Sequence, residues 1–206
     1  MTSSDTALRA DAARNRASIV CAAATVFARS GSGVPLEEIA REAGVGIATL
    51  YRRFPTRDAL LETVFEEKMA AYARRAAEAA ELARSEPWQA FSGYVTYILE
   101  QQAQDPAFAD VLVAPLSGSA IFAEHQGQAL HFTMLLIERA QAAGVVRSDF
   151  HHSDLYVLTL ANSGLARAAG SSAVEASRRL GAFVLEGYRC DTDQALPPVP
   201  AIWRTP

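Results

Sequence analysis

The stretch GVGIATLYRRFPTRDALL, Gly44 to Leu61, sets two glycines ahead of a short helix-forming run, stops it with Phe-Pro and starts another helix at once. A helix of about two turns is marginal in water, so its neighbours have to hold it. Its value therefore lies in where it puts its exposed side chains. Working outward, Ala40 is small enough to let two helices cross closely. Gly44, four residues on, is free to take the positive φ of a tight turn, and Leu50 anchors the second helix. Two short helices crossing steeply at a glycine turn make a helix-turn-helix. An ordinary helical hairpin is the competing reading of this spacing alone.

The rest of the chain carries the same helical signal. Strand-like alternation bounded by turn residues is missing, while Ala, Leu, Glu and Arg are abundant. Ile19, Ala22, Ala23, Val26 and Phe27 recur at three- and four-residue spacing, which predicts a first helix over about Ala10–Arg29 closed by Gly31. Pro35 opens a second helix, Leu36–Ala43, with Glu37 and Glu38 in its first turn where the helix dipole favours them. A third helix is expected over Ile47–Phe54, and a fourth from an N-cap at Thr56 to about Arg84. Further helices are expected at about Trp88–Gln104, Pro106–Val113, Ser119–Ala143, Ser153–Ala169 and Ser172–Arg189. The fold class is all-α. It divides into a helix-turn-helix domain at 10–55 (motif 35–54), a connecting helix at 56–84, a helical body at 85–190 and a proline-rich, irregular tail at 191–206.

Composition narrows the function. Of 206 residues, 50% are hydrophobic, enough for a substantial core, and no run reaches the roughly 18 apolar residues of a membrane span. The polar N-terminus does not read as a signal peptide. Cys21 and Cys190 are too few for a disulfide framework or a thiolate zinc site, so a cytoplasmic location is expected. The net charge of −4 is uneven. Residues 1–60 hold eight Arg against six acids, whereas the remainder holds eleven Lys and Arg against seventeen acids. A mildly basic end on an acidic body suits a protein that meets a polyanion at one end.

The flanks of the motif are more specific than its core. The segments RASIVCAAATVFARSG and VPLEEIAREAGVGIATLYRRFPTRDALL together resemble the N-terminal DNA-binding domain of the tetracycline-repressor (TetR) family of bacterial transcriptional regulators, over about residues 14–72. The matching positions are Ile19, Ala22, Ala23, Phe27 and Gly31, then Ile39, Ala40, Ala43, Gly44 and Val45, then Leu50, Tyr51, Phe54 and Arg57. The resemblance implies a recognition helix entering the major groove of double-stranded DNA. Gly46, Ile47 and Ala48 open that helix. Many members carry a hydroxyl where Gly46 stands, so only its backbone N–H is left to meet a phosphate. Ile47 and Ala48 can touch thymine methyls, with plain packing as the alternative for Ile47. The resemblance assigns Thr49 and Tyr51 to phosphates. Arg52 is expected on a phosphate or a base edge, and plain solvation is one of the readings of Arg53. Arg57 is expected on a phosphate, and Arg14 and Arg16 on flanking phosphates.

The body carries aromatic stripes with few charges. Phe91, Tyr94 and Ile98 lie along one helix and Phe122, His125 and Gln128 along another, with Asn162 on a third. These are the ligand candidates, since a small-molecule site needs a few polar groups in an apolar lining, although most such residues are simply core. His151 and His152 are expected in a solvated loop. His125 and His131, six apart on a helix, face different ways, so no metal site is expected, and no cofactor either. Leu158, Ala161, Leu165, Ala176, Leu180 and Phe183 on the last two helices are the dimer-interface candidates. By resemblance, this pair forms a four-helix bundle between two subunits, and a monomeric core is the alternative.

These features together predict a homodimeric regulator on a near-palindromic operator, released by a small, mostly apolar ligand. A constitutive regulator without inducer is the runner-up. A helical enzyme is the remote alternative, since the sequence carries no nucleophile elbow, metal-binding cluster or phosphate loop.

Overall fold

The computed structural model describes residues 3–113, 119–189 and 195–198. Helices α1 (Ser3–Ser30), α2 (Leu36–Glu42) and α3 (Ile47–Arg53) form the head, and α4 (Arg57–Leu82) leads out of it. The body is built from α5 (Pro87–Gln104), α6 (Pro106–Val113), α7 (Ala120–Ala142), α8 (His152–Ala169) and α9 (Ala173–Tyr188), with one 3-10 turn at Gly170–Ser172. Every helix expected from the sequence is present, most within one or two residues of its expected ends. The exception is α1, which begins at Ser3 rather than near Ala10. Among the described residues the only β pairing is a single bridge between Val146 and Arg189. Of the tail expected to be irregular, 195–198 are irregular and the rest lies outside the described residues.

Local chemistry fixes the breaks between helices. At the end of α2, Gly44 takes φ +67°, its N–H donates to the Arg41 carbonyl at 3.1 Å, and Val45 N–H donates to the Ala40 carbonyl at 3.0 Å. That pair of bonds satisfies carbonyls a helix end would otherwise leave open and turns the chain sharply into α3. Phe54 then adopts extended backbone, as a residue before proline prefers. The hydroxyl of Thr56 accepts from Ala59 N–H at 3.1 Å and caps α4. His151 caps α8 in a reciprocal box with Asp154.

Two cores run through the molecule and α4 belongs to both. The first gathers Ile19, Phe27, Ile39, Leu50 and Phe54 of the head around Leu60, Phe65 and Met69 of α4. It also takes in Ala107, Phe108 and Val111 of α6 and Phe122 of α7. The second packs Ala76, Ala79 and Ala80 of α4 against α5, α7, α8 and α9. Alanines along the α4 seam let α7 lie close against it. The head is thus fused to the body through α4 and α6 rather than merely tethered.

The backbone at Gly44 makes one substitution pair informative. A side chain at a positive φ is strained, so Gly44→Ala is expected to lower stability by about 1 kcal/mol. Gly127 lies inside α7 with open space where its Cβ would go, so Gly127→Ala is expected to raise stability by about 0.5–1 kcal/mol. Urea unfolding of the two variants measures this, and shifts of the same sign would contradict it.

Candidate nucleic-acid interface and interior cavity

The outward face of α3 follows from burial of its inner one. Leu50 is fully buried beneath the helix, which leaves Ile47, Ala48, Tyr51 and Arg52 in solvent and Thr49 at the edge. Ile47 and Tyr51 are 36% and 46% exposed, a poor arrangement for core residues and a suitable one for a contact surface. Gly46 precedes them as an exposed N-cap in extended backbone that offers no side-chain cap. Arg16, exposed on α1, sets its guanidinium 5.3 Å from the centre of the Phe54 ring, which places a cation beside the end of α3. Arg14 is also exposed and pairs with Asp11 one turn earlier, a contact of little energetic weight in water. Arg53 is half-buried, which does not suit the solvated reading.

Arg57, expected on a phosphate, is engaged within the head itself. Its Nη1 donates to the carbonyls of Ser32 and Val34 at 2.8 and 2.6 Å. The guanidinium therefore braces the loop between α1 and α2, using its charge on backbone oxygens that would otherwise be unsatisfied. The same loop is held from the body: Ser32 Oγ donates to Asp110 of α6 at 2.7 Å, and Arg167 of α8 donates to the other Asp110 oxygen at 3.3 Å. One carboxylate thus joins head, α6 and α8.

Within the body a cavity of about 280 Å³ opens between helices. Met69 and Tyr72 of α4, Ile98 of α5 and Leu112 of α6 form one side. Gln126, Ala129, Leu130 and Thr133 of α7 and His152, Leu155, Tyr156 and Thr159 of α8 form the other. Exposed Leu130 and Tyr156 mark its rim. Burial, reinforced by the neighbouring His151, pushes the His152 imidazole below its ordinary range, against the pull of Asp154.

Of the expected ligand residues only Ile98 lines this cavity. Tyr94 stands one layer behind, bonded at 2.8 Å to the lining residue Thr133. Phe91 closes instead onto Phe150, ring centres 5.4 Å apart and edge to face, in solid core. Phe122 is buried in the core shared with the head. Asn162 donates to the Leu99 carbonyl and to Gln102 Oε1, both at 3.1 Å, and ties α8 to α5. Gln128 lies exposed on α7, bonded to Glu124, and His125 is not among the lining residues. His151 and His152, expected in a solvated loop, are instead a helix cap and a wall of the cavity. The lining residues Tyr72, Thr133 and Thr159 were not singled out from sequence. Tyr72 had a visible signal, an aromatic hydroxyl on the inner stripe of α4.

The expected dimer residues divide. Ala161 and Phe183 are exposed, Phe183 at 65%. Leu165, Ala176 and Leu180 are half-buried, and Leu158 is buried within its own chain. The apolar surface left open on α8 keeps Ala161 and adds Val157 and Leu160 in place of the buried Leu158.

Two short crossing helices presenting a cationic, hydroxyl-bearing face on a larger helical body are the architecture of a DNA-binding transcriptional regulator. The chain belongs to the TetR family. Residues 19–64 match the family model for bacterial regulatory proteins of the tetR family, and 86–190 match that for the C-terminal domain of SbtR-like transcriptional regulators. A TetR transcription regulatory protein from Mycobacterium vanbaalenii is 33% identical over 88% of this chain and 99% of its own, with a TM-score of 0.47. A TetR transcriptional regulator from Streptomyces coelicolor is 32% identical over 86% and 99%, with a TM-score of 0.51. FadR from Bacillus subtilis, solved in complex with stearoyl-CoA, shares the fold at 17% identity over 84% and 98%, with a TM-score of 0.52. A comparison with curated proteins returned no match. Among the described residues no helix is long and apolar enough to cross a membrane.

A brace and a phosphate contact at Arg57 are separable. As a brace, Arg57→Lys keeps the charge but loses the two-carbonyl clamp, so DNA affinity is expected to fall with the salt slope unchanged. Full affinity for the lysine variant, with a slope lowered by about one unit only in Arg57→Ala, would restore the phosphate role. Affinity measured across a salt series decides between them.

Proposed function

We propose that the protein acts as a homodimeric repressor that leaves a near-palindromic operator when a small, mostly apolar molecule enters the body cavity. One observation carries this reading. The cavity is walled by Met69 and Tyr72 of α4 and Leu112 of α6, and these two helices also hold the head. A ligand that favours one setting of α4 against α6 therefore favours one setting of the head. In a dimer that setting determines the spacing of the two recognition helices. The coupling is reciprocal, so operator DNA weakens ligand binding by the same factor, typically 5–150-fold.

Dimerisation is supported by the open apolar face of α8 and α9. Val157, Leu160 and Phe183 are large, exposed side chains on neighbouring helices, beside small residues Ala161 and Gly164 that permit close approach. At the DNA, Tyr51, Thr49, Arg52, Arg14 and Arg16 are proposed to hold phosphates or base edges, with Ile47 and Ala48 against thymine methyls. A second reading, a constitutive regulator whose body only dimerises, draws on the cavity volume of about 280 Å³, which falls just below the range of small-molecule sites (roughly 300–1,000 Å³).

Selection of bound duplexes from a random pool, repeated with candidate ligands, tests the whole reading. The expected product is two symmetric half-sites about one helical turn, roughly 34–36 Å, apart or at a related spacing. A single asymmetric half-site together with a monomer in sedimentation would refute it. Tyr51→Phe is expected to weaken binding to all duplexes by a similar factor without changing the selected sequence. A changed sequence preference would instead place Tyr51 on a base.

A further inference from the structure

Ser32, in the loop between α1 and α2, is gripped from two sides. Its carbonyl accepts from Arg57 Nη1 of α4 at 2.8 Å, and its hydroxyl donates to Asp110 Oδ2 of α6 at 2.7 Å. Among the described residues no other side-chain hydrogen bond runs from the head to the body helices. The loop around Ser32 has little slack. Gly31 closes α1 at φ +81°. Val34 is buried, and its carbonyl accepts from the same Arg57 nitrogen at 2.6 Å. Pro35 then fixes the entry into α2. A displacement of Ser32 therefore reaches Leu36 within four residues, and with it the α2–α3 pair.

The far end of the hydroxyl bond sits beside the cavity. Asp110 lies two residues from the lining residue Leu112. Ala109 and Val111 on either side of it are buried, so the Asp110 backbone goes where α6 goes. Its other oxygen accepts from Arg167 of α8 at 3.3 Å, and α8 is the helix that supplies the facing cavity wall. Building on the ligand-responsive reading above, we propose that Ser32 is a positioning residue for the recognition helix. It converts a shift of α6 against α4 into a turn of α2 and α3, with Arg167 extending the link to α8. The loop follows neither α4 nor α6 alone, because one helix holds the Ser32 carbonyl and the other its hydroxyl. While both bonds hold, the two helices cannot change their spacing without moving Ser32. Apolar packing between head and body is non-directional and resists separation more than sliding. A hydrogen bond to a carboxylate is stronger than a neutral one and weakens steeply when bent, so it resists sliding as well.

Amide hydrogen exchange of the full-length protein, with and without a duplex selected as above, tests this. Coupling is reciprocal, so DNA that fixes the head also steadies α6. In the wild type the duplex is expected to slow exchange across residues 109–113 by at least about fivefold, the lower end of typical couplings. In Ser32→Ala the duplex is expected to bind while the slowing in α6 disappears, and Ser32→Thr, which keeps the hydroxyl, restores it. Asp110→Ala removes the same bond from the other side and is expected to behave like Ser32→Ala. Loss of operator binding in both variants, at wild-type melting, is the stronger form of the same result. Slowing of α6 that survives in either variant overturns the proposal but leaves the ligand-responsive reading standing. Operator binding lost in Ser32→Ala and kept in Asp110→Ala puts Ser32 on the DNA and overturns it too. If the duplex changes neither α6 nor any wall of the cavity in the wild type, head and body are uncoupled and both readings fall. Arg167→Gln checks the last step. The slowing is expected to persist in α6 and to vanish across residues 163–169 of α8, and an unchanged response in α8 removes Arg167 from the link.

Discussion

Phe65 occupies the position on which the relation of head to body depends. Its ring lies 6.2 Å from Phe27 of α1 and 5.7 Å from Phe108 of α6, centre to centre. An aromatic side chain buries roughly 150–250 Å², and its neighbours cannot slide without opening that area to water. Because Phe65 belongs to α4, it holds the head, the connecting helix and α6 in one packed unit. The polar contacts of Ser32, Asp110 and Arg167 lie along the same seam and add direction to it. Movement of α4 or α6 therefore has to carry the head along or break this unit.

The head was legible in the sequence because its chemistry is local. Gly44 can be read as a turn because few residues accept φ near +67°. Pro35 and Pro55 set the flanks of the short helices for similar backbone reasons, and Thr56 caps α4 as its hydroxyl predicts. The periodic stripe of α1 identified Ile19, Ala23, Val26 and Phe27 as core, and all are buried. Arg57 is the exception that shows the limit. Its charge and position suggest a phosphate, but its reach to the Ser32 and Val34 carbonyls depends on a loop more than twenty residues away in sequence.

The body was legible as helices but not as a site. Periodicity reports which face of α5 points inward, and Phe91, Tyr94, Val95, Ile98 and Gln102 are all buried. It does not report where the facing helices fail to fill the space, because that depends on side chains from four other segments. The cavity falls at Ile98 and misses Phe91 for this reason: Phe150 and Tyr188 arrive from elsewhere to close around Phe91. Leu158 of α8 is buried rather than open for a related cause. The apolar residues of that helix occur on both sides, and only the packing of α5 and α9 decides that Leu158 turns in while Val157 turns out.

The bonded hydroxyls of Tyr94 and Thr133 have a thermodynamic side. A free hydroxyl rotor samples several orientations, and a binding partner that needs one of them must freeze the rest. Here Thr133 is pinned to a backbone carbonyl and Tyr94 to Thr133. Their rotational entropy is lost during folding, when the core closes, and not at the moment of association. The wall of the cavity is thus preorganised, with its dipoles already aligned. The cost of aligning them is borne by the stability of the helical body rather than by the affinity of whatever enters.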